Sequence, residues 1–433
     1  MSFLPTSRTE EEGLLSTIGV CRPDELFTSI PRRILLQEPL AVEGPLDELT
    51  LRRRFLASSS PVSFAGGGIY RHYIPALVDA LASRQEFLTA YTPYQPEISQ
   101  GTLQATFEFQ SMMASLTGMD VSNASMYDGA TAFAEAAIMA VRTGSIRRIV
   151  VARSVNPAYR GVLRTYFRNS AGVEIVEVPF DPTGGRVDLN ALRRLAGTDA
   201  ALFVQQPNYF GVIEDLDTIS RAAAGFGFRG IVVTDAISLG LLEPPGSSGC
   251  DVVAGEAQSF GNPPNAGGPL LGFFCVKREH VRRMPGRVVG LSRDRAGNRA
   301  FCLTLSTREQ HIRREKATSN ICTNEGMCAL RAAMYLSAVG PCGLRDVALQ
   351  CAAGTRSLMA ALRGKGVAPV FSAPVFHEFV VRFRRDALLK LQDRGIVPGV
   401  PLAPDYPELE GGLLMNVTEM NTNEDIQCLT ELL

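Results

Sequence analysis

The stretch from residue 148 to residue 235 reads RIVVARSVNPAYRGVLRTYFRNSAGVEIVEVPFDPTGGRVDLNALRRLAGTDAALFVQQPNYFGVIEDLDTISRAAAGFGFRGIVVTD. Four short apolar or alternating runs recur in it, at 149–151, 173–178, 202–204 and 231–233, and such runs are typical of strands. Segments with helical spacing lie between them, at 161–167, 189–195 and 216–224. Short strands separated by such helices predict an α/β fold, with a mainly parallel sheet that helices cover on both faces.

The sequence on either side of this stretch continues the pattern. Further strands are predicted at 252–253 and 271–276, and helices at 101–118 and 129–142. The arginine-rich region 277–320 is expected to connect domains.

The length of 433 residues exceeds what one compact domain usually holds. Beyond residue 323 the chain becomes helical and alanine-rich, and a strand follows at 375–383. We therefore expect an N-terminal arm at 1–60, a large α/β domain at 61–315, and a smaller C-terminal α/β domain at 316–433.

The charge balance and the hydropathy pattern exclude two classes of partner. The chain carries 43 basic and 44 acidic residues, whereas a nucleic-acid-binding protein usually shows a basic surplus. No apolar run approaches the ~18–20 residues that cross a bilayer, and the N-terminus lacks the pattern of a signal peptide. We expect a cytoplasmic protein with no nucleic-acid and no membrane partner.

Lysine, cysteine and histidine restrict the possible chemistry. Only four of the 43 basic residues are lysines: Lys277, Lys316, Lys365 and Lys390. The nine cysteines form no CxxC pair, and the four histidines are scattered along the chain. The spacing therefore predicts no metal site, and free thiols in a reducing compartment are the expected state.

Two features have a functional and a structural interpretation. Asp235 follows the strand at 231–233, where it would pair with a cofactor nitrogen or simply cap a turn. The glycine runs 66–68 and 267–268 would cradle a phosphate or allow tight turns, and they match neither the dinucleotide fingerprint nor the P-loop. For Asp235 the residues alone favour the cap.

The segment around Tyr94, Gln95 and Glu97 is rich in hydrogen-bonding side chains, which favours a site over an ordinary loop. No G-x-S-x-G nucleophile elbow is present. Taken alone, these residues indicate a two-domain α/β protein of a kind that includes pyridoxal-phosphate enzymes.

Four longer blocks, in order along the chain, resemble the P-protein family of the glycine cleavage system. They are FAGGGIYRHYIP at 64–75, FLTAYTPYQPEISQG at 87–101, GEAQSFGNPPNAGGPLLG at 255–272 and REQHIRREKATSNICTN at 308–324. The resemblance implies the pyridoxal-phosphate-dependent transferase fold of type I, split across two polypeptides in many prokaryotes. It also implies decarboxylation of glycine and transfer of the aminomethyl group to the lipoyl arm of H-protein.

One position departs from the cofactor-binding members that this chain resembles. Those members carry a histidine-lysine pair before a glycine-rich turn, and here Gln258 stands in the lysine's place. A glutamine amide is not nucleophilic, so it forms no Schiff base. The resemblance therefore implies the α subunit, or subunit 1, with pyridoxal phosphate bound to the β subunit and none held covalently by this chain.

This chain is then expected to complete the heteromer and to line the substrate entrance with Tyr94, Gln95, Glu97 and Gln100. Two alternatives stay open at this point. One is a stand-alone pyridoxal-phosphate enzyme that uses Lys277 or Lys316, and the other is a non-catalytic scaffold homologue.

Overall fold

A computed structural model describes residues 6–36, 38, 40–56, 62–88, 91–265 and 267–433. The chain divides into two compact units, Met1–Ser60 and Pro61–Leu433. The division of the second unit into the predicted parts 61–315 and 316–433 stays a prediction.

The first unit is helical and exposed. It contains helices α1 (Arg8–Ile18) and α2 (Glu48–Leu56). A capping box between Ser7 and Glu10 begins α1, because each side chain bonds the other residue's backbone N–H. No described residue of this unit is buried, although many of its side chains are large and apolar.

A seven-stranded sheet forms the centre of the second unit. Its strands are β1 (Val121–Ser122), β2 (Arg148–Ala152), β3 (Glu174–Val178), β4 (Ala200–Gln205), β5 (Phe228–Val233), β6 (Val252–Glu256) and β7 (Gly272–Val276). The order in the sheet is β1-β7-β6-β5-β4-β2-β3. The five strands from β6 to β3 are parallel, and β7 pairs antiparallel with both β6 and β1. The predicted mainly parallel sheet is confirmed.

Helices cover this sheet. They are α3 (Ala76–Ala82), α4 (Gln100–Thr117), α5 (Gly129–Arg142), α6 (Pro157–Phe167), α7 (Leu189–Leu195) and α8 (Leu216–Ala222). Side chains alternate across a strand, so neighbouring residues of β4 face opposite layers. Phe203 packs edge-on against Phe133 of α5, whereas Leu202 and Val204 lie with residues of α8. Both faces of the sheet are therefore covered, as predicted.

The arginine-rich region contains a hairpin that its sequence did not reveal. Strands β8 (Val288–Arg293) and β9 (Arg299–Thr304) pair antiparallel, and the short helix α9 (Gln310–Arg313) follows. Val289 and Phe301 are buried against Leu103 of α4. The region is thus a packed element of the fold as well as a connection.

The long helix α10 (Gly326–Gly364) joins the central sheet to the C-terminal elements. It is kinked at Gly340, and its first half packs against α3 and α4. Length and composition alone would allow α10 to cross a membrane. Residues along both halves are buried in the protein, however, as expected of a core helix.

The C-terminal elements form a second, smaller layer. They are β10 (Glu378–Arg382), α11 (Arg385–Asp393), β11 (Val400–Pro401), β12 (Gly412–Asn416) and α12 (Asn423–Glu431). The three strands form an antiparallel sheet in the order β10-β12-β11. The second half of α10 packs into their core through Leu358 and Leu362.

The parallel pairing of β5 and β6 predicts a strong requirement for glycine at position 255. A Cβ atom there would lie 1.9 Å from the carbonyl oxygen of Val233. We expect Gly255→Ala to lower the free energy of unfolding by about 2–3 kcal/mol in denaturant titrations, because the strands must separate to admit the methyl group.

Gly101 provides the control. A Cβ atom there would meet nothing within 4 Å, and the residue lies in a helix. Gly101→Ala should raise stability by up to ~1 kcal/mol. Equal effects of the two substitutions would contradict the packing argument.

Candidate functional site

The carboxyl edge of the central sheet gathers the polar residues of the candidate site. Asp235 follows β5, and Gln258 and Ser259 follow β6, so the parallel strands place all three at the same edge. All three side chains are buried. This is the edge at which open α/β sheets bind ligands.

Asp235 forms the centre of a buried hydrogen-bond network. Its Oδ2 atom lies 3.2 Å from His72 Nε2 and 2.7 Å from His377 Nε2. Its Oδ1 atom accepts from the Ser259 hydroxyl at 2.6 Å and from the backbone N–H of Ile237 at 3.0 Å. The predicted capping role is therefore present, because the Ile237 bond begins a short 3-10 helix, but it is only one of four bonds.

The charges of this network stabilise one another. Burial alone would raise the pKa of Asp235, but the imidazoles of His72 and His377 outweigh it and hold that pKa well below its usual range. Burial lowers the pKa of His72, yet Asp235 and Glu419 raise it well above the ordinary value. These two carboxylates favour the protonated form of the His72 ring, whose Nδ1 atom lies 2.8 Å from Glu419 Oε2.

A second buried carboxylate, Glu256, lies at the end of β6 against the start of α5. It accepts backbone N–H bonds from Gly129 at 2.9 Å, from Gln258 at 2.9 Å and from Leu271 at 2.8 Å. Asp128 caps the same helix end through the N–H of Thr131. The helix N-terminus, a natural anion site, is therefore already bonded to carboxylates of the chain itself.

Gln258 lies in the turn after β6 with its side chain buried. Its amide donates a hydrogen bond to the carbonyl oxygen of Asn262, which fixes the side chain within the turn. The glycine-rich turn follows, with Gly267 and Gly268 at φ of 97° and 89°. The Gln258 side chain therefore stabilises the turn in which it lies.

The four lysines lie elsewhere. Lys277 follows β7, whose last residue Val276 pairs with Val252 at the amino end of β6. Its Nζ atom bonds Asp251 Oδ1 and the Gly249 carbonyl, both at 2.9 Å, so it lies at the edge opposite the site. Lys316, Lys365 and Lys390 are exposed.

The glycine run 66–68 binds a carboxylate of the chain instead of leaving a phosphate cradle. The Gly67 N–H donates to Glu378 Oε1 at 2.7 Å, and the Tyr70 hydroxyl donates to the other oxygen at 2.9 Å. A Cβ atom on Gly66 would lie 2.2 Å from Glu378. Close approach to this side chain explains the glycine.

An open cleft of about 370 Å³ lies near the predicted entrance segment. Its lining includes Tyr91, Pro93, Arg287 and Glu325. Arg287 is buried, and its guanidinium lies over the Tyr94 ring and donates a hydrogen bond to the Tyr94 hydroxyl oxygen at 3.0 Å. The cleft is thus walled by the segment that contains Tyr94 and by the Arg287 side chain.

The four predicted entrance residues differ in their surroundings. Tyr94 is half-exposed and contacts Arg287, and Gln95 and Glu97 are exposed. Gln100 instead exchanges two hydrogen bonds, both 2.9 Å, with the backbone of Phe301 in β9. Its amide therefore positions the hairpin against α4, and the entrance role of all four stays a prediction.

Sequence reasoning did not identify several residues of the site. His72 lies in the block at 64–75, and Glu256 and Ser259 lie in the block at 255–272, but nothing in the sequence distinguishes them from their neighbours. Arg287 and His377 lie outside the four blocks. The neighbouring sequence does not mark any of these residues as functional. Each can be recognised only from the buried group that it contacts in the folded structure.

Comparisons with known proteins agree with this geometry. The family model described as "Glycine cleavage system P-protein" matches residues 1–433. The chain is similar to the probable glycine dehydrogenase (decarboxylating) subunit 1 of Moorella thermoacetica, with 49% identity covering 99% of this chain and 98% of that one. The protein of the same name from Anaeromyxobacter dehalogenans is 48% identical, with the same two coverages.

Solved structures add evidence on the fold. The crystal structure of an inhibitor-bound glycine decarboxylase (P-protein) of the glycine cleavage system is similar to this chain, with a TM-score of 0.87 and 41% identity, covering 100% and 99% of the two chains. An aspartate aminotransferase from Thermus thermophilus has a TM-score of 0.60 at 15% identity, covering 86% and 97%, and thus shares the fold alone. The expected type I fold of pyridoxal-phosphate-dependent enzymes is confirmed.

The buried state of Glu256 predicts a pH dependence of stability. Burial raises its pKa from 4.5 to about 7, although its N–H partners lower it. A carboxyl group with a raised folded-state pKa contributes stability that is complete below pH ~4.5 and lost as the pH rises through ~7. The quantity to compare is the free energy of unfolding of the protein minus that of Glu256→Gln, measured in denaturant titrations. We expect this difference to decrease by on the order of 3 kcal/mol between pH 4.5 and pH 7.

Glu410→Gln, at an exposed position, is the control and should leave the pH profile unchanged. A difference between the protein and Glu256→Gln that stays constant from pH 4.5 to 7 would contradict the prediction.

Proposed function

This chain belongs to the glycine cleavage system P-protein family, and from that membership we propose that it is subunit 1 of a two-chain glycine decarboxylase. In this proposal the heteromer decarboxylates glycine and passes the aminomethyl group to the lipoyl arm of H-protein. The observation that carries the assignment to subunit 1 is Gln258. It lies in the turn after β6, next to Ser259, which bonds Asp235, and none of the four lysines lies at this site.

The family and the fold support pyridoxal phosphate in the complex. Covalent attachment needs an amine, the ring nitrogen needs a free carboxylate, and the phosphate needs unpaired N–H donors. In this chain Gln258 supplies no amine, and the Asp235 carboxylate already accepts four bonds. The N–H of Gly129 is bonded to Glu256. These residues do not fit the cofactor, which supports placing it on the partner subunit.

The open cleft supports the second part of the proposal. Apolar and polar side chains line it, and Arg287 joins Tyr94 to the 322–324 segment through bonds of 3.0–3.3 Å. We place the substrate entrance of the heteromer here, with Tyr94, Gln95 and Glu97 at its surface and Gln100 fixing the hairpin behind it.

The remaining alternatives find less support. A stand-alone enzyme would need Lys277 or Lys316 at the site, but Lys277 lies at the opposite sheet edge and Lys316 is exposed. A scaffold without a link to glycine cleavage would not need the cleft. All nine cysteines are free thiols, which supports the cytoplasm as the proposed location.

Borohydride reduction tests the assignment of the cofactor. The chain is expressed with its partner subunit, incubated with pyridoxal phosphate, reduced, and mapped by mass spectrometry. We expect a stoichiometric lysine adduct on the partner and none on this chain, because this chain presents no lysine at the site. A stoichiometric adduct on Lys277 or Lys316 would make this chain an enzyme in its own right.

Gln258→Lys is the matched variant for the same experiment. We expect this chain to stay without a stoichiometric adduct even then, because Asp235 and the start of α5 remain occupied by the chain's own side chains. A full adduct on the introduced lysine would show that the amine was the one missing feature.

Substitutions at the entrance test the role of the cleft. Tyr94→Ala removes the ring and hydroxyl that contact Arg287, and Glu97→Gln removes one exposed charge. We expect Tyr94→Ala to lower the rate of glycine decarboxylation about tenfold and Glu97→Gln to lower it less, with the subunits still associated in size-exclusion chromatography. Glu410→Gln should leave the rate unchanged. Unaltered kinetics in both entrance variants would count against this location.

A further inference from the structure

Three side chains from distant parts of the sequence meet behind the Asp235 network. His72 lies before α3, Cys351 lies in the second half of α10, and Glu419 follows β12. Glu419 Oε2 is 2.8 Å from His72 Nδ1 and 3.3 Å from Cys351 Sγ. The three donor atoms all lie within 4.8 Å of one another.

The donor set has the chemistry of a zinc site. Neutral imidazole, thiolate and carboxylate are the three side-chain types that bind Zn²⁺, and a thiolate favours zinc over calcium or magnesium. Zinc bonds of ~2.0–2.3 Å place tetrahedral ligand atoms ~3.3–3.7 Å apart. The Cys351–Glu419 distance already meets that spacing, and the His72–Glu419 pair must open by about half an ångström.

The surroundings of His72 also match those of a metal ligand. A histidine that binds a metal through one ring nitrogen usually donates its other N–H to a carboxylate, which fixes the tautomer and the ring. His72 Nε2 faces Asp235 Oδ2 at 3.2 Å, so Nδ1 is the atom that points to Cys351 and Glu419. Asp235 is itself fixed by His377 and Ser259.

A buried tyrosine hydroxyl lies beside the cluster. Tyr335 in the first half of α10 is 1% exposed, and its hydroxyl finds no hydrogen-bond partner among the described residues. It lies within electrostatic reach of His72, Cys351 and Glu419. An unpaired buried hydroxyl costs stability, and a water molecule on a bound ion would supply the missing partner.

We propose that His72 Nδ1, Cys351 Sγ and Glu419 Oε2 form a binding site for a zinc ion, with water in the fourth position. Binding releases the thiol proton of Cys351 and the Nδ1 proton of His72, so the ligands are thiolate, neutral imidazole and carboxylate. The ion ties the segment before α3 to helix α10 and to the C-terminal sheet. The site requires neither the cofactor nor the substrate.

Without the ion, the same contacts describe an ion-paired cluster. His72 as imidazolium then bridges Asp235 and Glu419, and the Cys351 thiol donates to Glu419. A measurement of metal content distinguishes the zinc site from the ion-paired cluster. Only in the zinc site does the bound ion require the Cys351 thiolate.

The experiment compares two cysteine variants of the full chain, purified with its partner subunit. Cys351→Ser removes the thiolate ligand. Cys328→Ser is the matched control, because Cys328 is also buried in α10 and burial raises the pKa of both thiols to about 11. The zinc content of each sample is measured by elemental mass spectrometry. Any zinc bound to the partner subunit contributes equally to all samples, because only this chain is altered.

We expect Cys351→Ser to contain about one zinc fewer per chain than the unaltered protein, and Cys328→Ser to contain the same amount. Growth on cobalt should give the unaltered protein and Cys328→Ser a thiolate-to-cobalt charge-transfer band that Cys351→Ser lacks. If Cys351→Ser fails to fold, Glu419→Gln replaces it and should likewise lose the ion. The proposal is overturned if zinc content is equal in all variants, or if the unaltered protein holds no zinc and shows no cobalt band.

Discussion

A buried negative charge at Asp235 sets the arrangement of the second unit. An isolated carboxylate inside a protein is too costly to keep unless it is paired and hydrogen-bonded. The chain meets this requirement from three directions, with His72 before α3, Ser259 after β6 and His377 at the start of β10. The central sheet and the C-terminal sheet are therefore joined through one side chain as well as through apolar packing.

Two other buried carboxyl groups near this edge are also hydrogen-bonded within the chain. Glu256 bonds the first N–H of α5, and Glu378 bonds the glycine run that precedes His72. The carboxylates at this edge are thus paired with N–H and O–H donors of the chain itself. The cleft beside Arg287, in contrast, is open to solvent.

Local pattern predicted much of the fold. The helices at 129–142 and 189–195 agree with the structure residue for residue, because both have clear apolar faces and a side-chain cap at Asp128 and Asp188. The hairpin of β8 and β9 was missed because its arginines and exposed positions hide the alternation. Of the site, Asp235 and Gln258 were identified in advance, whereas their partners were not.

The sequence by itself determined the alternation of strands and helices from 129 to 233, the family, and the absence of a lysine at position 258, because periodicity and residue identity are local properties of the chain. Only the tertiary structure decided that His72 and His377 meet at the Asp235 carboxylate, and that Glu419 and Cys351 lie on the other side of His72. These residues lie up to 347 positions apart, and their pairing depends on how the chain crosses from the large sheet to the small one. Electrostatic partners are chosen by distance in space, and no spacing along the sequence records that distance.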